Sequence, residues 1–142
     1  MGDFLCLLLR LDVNCFKKSL LFFLAVIGGC SDKFNLKLGA QSENYLSYQP
    51  IDVAGDYEIN CVSESFPVYK HTSTELYFYY VEDTETNNKY WYITKEFGGD
   101  SKPLIIGVYN DICPDSIATW IISDGEGESD FRFENDVTLT NF

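Results

Sequence analysis

Acyl-transfer catalysis needs a nucleophile held against a base, and this chain carries one imidazole, His71, to serve as that base. His71 opens the polar run His71-Thr72-Ser73-Thr74, which reads as a surface turn, and no Gly-x-Ser-x-Gly elbow accompanies it. A histidine in such a turn is expected to be solvated and to take no part in a triad. Paired carboxylates are the other route to hydrolysis. Acidic residues are plentiful, but a chain this short has little room for the cleft in which a glycosidase sets its pair. The sequence therefore points away from an enzyme, with a small hydrolase kept as an outside alternative.

Two spacings suggest structural chemistry. Asp124-Gly-Glu126-Gly-Glu128-Ser-Asp130 places a carboxylate at every second position, and flexible oxygen-rich loops suit calcium. Asp124, Glu126 and Glu128 are the candidate ligands. The EF-hand template fails, because its glycine falls on Ser129 and its bidentate glutamate on Asn135. The plainer reading is an acidic hairpin loop in water, and no cofactor is expected. Cys61 and Cys113 are the cysteines of the chain beyond residue 30. In an oxidising compartment they can pair, closing a loop of about fifty residues and contributing about 4 kcal/mol through the unfolded state. The alternative is a pair of buried thiols. With neither Cys-x-x-Cys nor a Cys/His cluster, structural zinc and thiol redox catalysis are disfavoured.

The most specific pattern is aromatic. Leu76-Tyr-Phe-Tyr-Tyr-Val81 and Tyr90-Trp-Tyr-Ile-Thr94 flank a polar stretch whose Asn87-Asn88 tolerates the positive φ of a turn, the signature of a hairpin. Side chains alternate across a strand, so Leu76, Phe78, Trp91 and Ile93 are assigned to the core. Tyr77, Tyr79, Tyr90 and Tyr92 then share the opposite face as cross-strand neighbours. Open to solvent, they form a flat amphipathic platform for stacking on sugar rings or anchoring a protein. Covered by a second sheet or by residues 31–54, they are the other half of the core.

The elements that must hold these residues are strands. Aromatics make up 16% of the chain, with ten Tyr and eleven Phe, and such side chains suit a half-buried pleated surface. From Gly55 apolar and polar residues alternate, beginning with Tyr57, Ile59 and Cys61, and turn signals recur about every eight to twelve residues. The expected fold is all-β, a small antiparallel sandwich or partly open barrel of about six to eight short strands over residues 55–142. Residues 31–54 mix Gln, Ser and Asn with Leu and Tyr, and read as a linker or as a late-joining edge strand. Before them, Lys17-Lys18, an apolar run of about ten residues and Gly28-Gly29-Cys30 match an export signal cleaved near Cys30. A spanning helix would need about twenty apolar residues. Met1 to Phe16 precede this signal, either as a long n-region or because translation starts later.

Ile27-Gly28-Gly29-Cys30 also resembles the lipobox of bacterial lipoproteins, which implies an acylated Cys30 and a membrane anchor. A second resemblance covers roughly residues 55–140. Phe66-Pro-Val-Tyr-Lys70, the tyrosine strand, Tyr90-Trp-Tyr-Ile93, Cys113-Pro-Asp115 and Trp120 are similar to a small secreted module of extracellular proteins from marine invertebrates and microalgae. Ser65-Phe66 and Thr94 depart from that module's Gly-Arg and glycine. The likeness implies the β fold and an exported setting, and no activity.

Charge narrows the partners. Residues 31–142 hold seven Lys/Arg against twenty Asp/Glu, a balance of −13 in a chain of net charge −12. Phosphate backbones and anionic headgroups repel such a surface, so neither nucleic acid nor a membrane is expected unless Cys30 is acylated. The expected function is an exported, non-enzymatic recognition or adhesion module that binds an extracellular glycan or protein through Tyr77, Tyr79, Tyr90 and Tyr92. The alternative is a lipid-anchored envelope protein whose β domain binds a small ligand or assists assembly.

Overall fold

Alternation of apolar and polar side chains along the chain is realised as one antiparallel sheet. The computed structural model describes residues 30–48, 51–63, 66–98, 102–108, 113–114, 117, 119–123 and 131–141. They form β1 (Lys33–Leu38), α1 (Ala40–Tyr45), β2 (Gly55–Ser63), β3 (Phe66–His71), β4 (Tyr77–Asp83) and β5 (Asn88–Thr94). β6 (Ile105–Val108), β7 (Trp120–Ser123), β8 (Phe131–Glu134) and β9 (Val137–Asn141) complete the sheet. The expected export signal before Cys30 lies outside the described residues, as does the acidic loop with Asp124, Glu126 and Glu128.

From β1 to β8 each strand pairs with the next, and β9 returns to β1, with Leu36 opposite Leu139 and Leu38 opposite Val137. β8 and β9 are thus the two ends of the hydrogen-bonded order, yet only Asn135 and Asp136 separate them along the chain. That link spans at most about 11 Å. The ends of a nine-stranded sheet can meet only if the sheet rolls up, and the result is a nearly closed barrel.

Asp136 and α1 seal the seam. Gly39, at the start of α1, has no side chain to cap the helix, and Asp136 does it from across the fold. Its carboxylate accepts the backbone N–H groups of Gln41 at 3.1 Å and Ser42 at 3.2 Å, and the Ser42 hydroxyl as well. Its carbonyl accepts the Gly39 N–H at 2.8 Å. A side chain at Gly39 would collide with Asp136, so glycine is required by the closeness of this contact. The helix packs on β1 and β7, and Arg132 of β8 lies over the Tyr45 ring.

Leu76, Phe78, Trp91 and Ile93 lie in the core as the alternation predicts. Residues 31–54 differ from expectation. They supply a ninth strand between β2 and β9, whose Phe34 is 0% exposed, and Leu46 and Val53 also join the core. Phe34, Leu36 and Leu38 alternate with Lys33, Asn35 and Lys37, so the strand signal is present beneath the polar composition. Pro67 sits inside β3 opposite Val62, at a point where β3 and β4 have not yet paired, so its missing N–H interrupts no ladder there.

The expected Cys61–Cys113 bridge is also corrected. Cys113 is bonded to Cys30 across a sequence separation of 83, so its sulfur is not available to Cys61. The reason is topological. β1 lies beside β2, which brings the residue just ahead of it against Val62 and Cys113. A loop of this length contributes about 4.5 kcal/mol in the chain-entropy account. Acylation of Cys30 needs the same sulfur, so a lipid anchor and this bond exclude one another.

Non-reducing peptide mapping should recover residue 30 linked to residue 113, and Cys113→Ser should destabilise the protein by about 3–5 kcal/mol in urea unfolding. Asp136→Ala should cost about 1–2 kcal/mol at neutral pH. Burial alone raises the Asp136 carboxyl, but the bonds from Ser42 and Gln41 outweigh it and hold the carboxyl below its usual value. The ionised form is the one the fold favours. Its contribution is therefore complete above the unfolded value of about 3.9 and is lost as pH falls through the lower folded value. Stability of the native chain should fall over that acid range more steeply than that of the alanine variant.

Candidate binding face

A rolled sheet offers two places for a ligand, its inside and its wall. Phe34, Tyr57, Tyr69, Leu76, Phe78, Trp91, Ile105 and Ile122 point inward, and each is fully buried. None of these side chains lines a space that a water could enter, so they pack against one another. Ring packing is dense, with Phe78 and Trp91 at 5.3 Å and Phe34 edge-on to Tyr69 at 5.1 Å. The inward tyrosines spend their hydroxyls on loops, Tyr57 donating to the Val53 carbonyl at 2.6 Å and Tyr69 to the Ser31 carbonyl at 2.7 Å. Trp91 Nε1 has no hydrogen-bond partner among the described residues, a cost of about 1–3 kcal/mol accepted within this packing.

The wall is divided. On β9, β1 and the first half of β2 the outward positions are polar: Thr138, Thr140, Lys33, Asn35, Asp56 and Glu58. Lys33 lies 3.4 Å from Glu58 and 3.8 Å from Asp56, and the Asn35 amide donates to Asp56 at 2.8 Å. From β4 to β8 the outward positions are largely apolar, with Asp83 and Asn88 at the hairpin end and Thr94 at the other as polar exceptions. Tyr77, Tyr79 and Val81 lead to Tyr90 and Tyr92, then to Ile106 and Val108, Ile121 and Phe133, each beside the next across the ladder. Among the described residues, no charged side chain occupies an outward position on β5, β6 or β7. Phe133 is 74% exposed, and Tyr77, Tyr90, Tyr92, Ile106, Val108 and Ile121 are half-buried.

All four tyrosines of the hairpin share the outer face, but not equally. Tyr79 is 6% exposed, and Phe97 meets it edge-on at 4.9 Å. Gly98, with φ +72°, makes the turn beside Phe97 in a left-handed conformation. The Tyr79 hydroxyl lies 3.3 Å from the Glu96 carbonyl and 3.2 Å from Thr94 Oγ1. Tyr79 thus supports the face from beneath, a correction to its expected place in the contact surface. Tyr90 and Tyr92 stack at 6.0 Å with 24° between planes, and the Lys70 ammonium lies 5.8 Å over the Tyr77 ring. Asp83 is outward too, at the hairpin end of the platform, where its carboxylate accepts the Glu85 N–H at 3.0 Å. Bonds from Thr86 and Glu85 hold that carboxyl below its usual range. Partial burial, and then the nearby Tyr90, Asp83 and Tyr79, push the Tyr92 hydroxyl up.

His71 is not the solvated turn residue its neighbours suggest. It ends β3, is 6% exposed and stands edge-on to Tyr57 at 5.0 Å. The Ser73 N–H donates to Nδ1 at 3.0 Å, which leaves the proton on Nε2 to donate to the Ala54 carbonyl at 2.8 Å. Both nitrogens are spent on backbone. Among the described residues no group of three or more His, Cys, Asp or Glu is placed to hold a metal ion, and no helix is long and apolar enough to cross a membrane.

No family model matches the chain, and no curated protein or solved structure matches it either. Function must be argued from the wall itself.

The role given to His71 is structural and can be checked. His71→Ala leaves the Ala54 carbonyl and the Ser73 N–H unpaired and should destabilise the fold by about 2–3 kcal/mol. Gly55 has φ +132°, and a Cβ there would stand 2.7 Å from His71 Nε2. Gly55→Ala should therefore cost about 2 kcal/mol or more in the same urea titration.

Proposed function

We propose that this chain is an exported, non-enzymatic recognition module whose outward aromatic wall docks an extracellular partner, protein or glycan. One observation carries the reading. Strands β5 to β7 place uncharged, largely apolar side chains on their outer face although the barrel interior is already filled, in a chain of net charge −12. Antiparallel sheets with one wet face normally alternate apolar inside with polar outside, as β1 does here. A contiguous apolar wall on an acidic protein lowers solubility, and interaction sites are where such patches are retained. The fully buried inward side chains argue against a small ligand held among them, and His71 is committed to backbone bonds away from the wall. The Cys30–Cys113 bond accords with an oxidising, extracellular setting.

The test compares the native chain with Tyr90→Ala/Tyr92→Ala on a glycan array and a panel of extracellular proteins. These side chains are half-buried on the outside of the barrel, so the variant should keep its unfolding midpoint within about 2 kcal/mol while losing at least about tenfold in affinity for whatever the native chain binds. Equal binding by both proteins contradicts the proposal.

A further inference from the structure

We propose that the wall takes a basic segment of a partner protein, with Lys or Arg head groups laid on the faces of Tyr90 and Tyr92 beside Asp83; this inference rests on the recognition reading above. The first support is that a ring of this wall already holds a cation. Lys70 Nζ lies over Tyr77, an attraction between the ammonium and the electron-rich ring face. The second is the position of Asp83. Val81 stands opposite Tyr90 and Asp83 opposite Asn88, so the carboxylate lies on the same outer face, one outward position beyond Val81 and Tyr90. Its field reaches the Tyr92 hydroxyl, which it helps to keep protonated. Glu82 and Glu85 are exposed on the same hairpin, and the chain from residue 31 onward carries a balance of −13. A positively charged segment is drawn to such a surface from a distance and then finds aromatic faces to rest on.

The neighbours of the tyrosines separate this occupant from two others. A glycan needs side-chain donors and acceptors among the stacking rings to fix its hydroxyls. Here Tyr90 and Tyr92 are flanked across the ladder by Val81, Tyr79, Val108 and Ile106, and the polar Asp83 and Asn88 stand only to one side, at the hairpin end. Aliphatic flanks suit the stems of Lys and Arg, which lie along apolar surface while the head group seeks charge. A second copy of this chain would bring together two proteins of net charge −12, and like charges oppose that approach.

The experiment measures fluorescence anisotropy of labelled probes with the purified, disulfide-intact chain. The probes are a peptide alternating Arg with Leu, the same peptide with Glu for Arg, and a neutral oligosaccharide. The inference expects the basic peptide to bind and the acidic one not to. Tyr90→Ala/Tyr92→Ala should weaken the basic peptide about tenfold, and Tyr90→Phe/Tyr92→Phe, which keeps both ring faces, should retain it. Asp83→Asn preserves an acceptor for the turn and removes only charge, and it should weaken binding about threefold, as should added salt. Oligosaccharide binding that depends on the tyrosines but ignores Asp83→Asn and salt would overturn this inference and leave the recognition reading standing. Self-association of the native chain abolished by the tyrosine variant would do the same, assigning the wall to a second copy. Basic-peptide binding untouched by either tyrosine variant would be diffuse charge attraction and would overturn both.

Discussion

Asn135 and Asp136 are the whole connection between strands at opposite ends of a nine-stranded order, and the curvature of the sheet follows from that shortness. β9 does not pair with β8. It pairs with β1 instead, and that pairing converts a meander into a rolled wall whose first and last strands protect one another. Asp136 then holds the seam by capping α1 with its carboxylate and Gly39 with its carbonyl. The same short link thus sets the topology and fastens it.

Closure also decides where a partner can bind. Rolling nine strands encloses a space that Phe34, Tyr57, Tyr69, Phe78, Trp91 and Trp120 fill, so the apolar requirement of a small domain is met on the inner face. The aromatic and aliphatic side chains facing outward from β4 to β8 are additional to that requirement. They come with an architecture in which little sheet edge is left for adding a strand, so the proposed contact falls to the face of the wall. Tyr79 under Phe97 gives this face a rigid floor, and Tyr90 and Tyr92 give it flat rings above.

The sequence made some of this legible and hid the rest for identifiable reasons. The hairpin was readable except for its tip, where β4 runs on to Asp83 and β5 starts at Asn88: Asn87 has φ 60°, and the period-two pattern sorts Phe78 and Trp91 inward from Tyr77 and Tyr92 outward. β1 carries the same alternation, but its Lys33, Asn35 and Lys37 and the polar residues that follow lend the segment the look of a linker. The disulfide pairing depended on that strand, since Cys30 reaches Cys113 only once β1 is laid beside β2. His71 was misjudged because polar neighbours in sequence say nothing about Ala54 and Tyr57, which reach it through the fold. The continuation of the wall through Ile106, Ile121 and Phe133 was invisible for a related reason. Only the order of strands places those short segments side by side.

Amide hydrogen exchange on β1 and β9 tests the rolled sheet most directly, because these strands are the ones that an open sheet would leave at its frayed margins. Backbone amides in the β1–β9 ladder, between Phe34 and Leu38 and between Val137 and Asn141, should exchange as slowly as those of β4 and β5 and be released in the same cooperative unfolding event. Rapid exchange there, alongside persistent protection of β4 and β5, would show that the sheet is open and that the filled barrel with its outward docking wall is wrong.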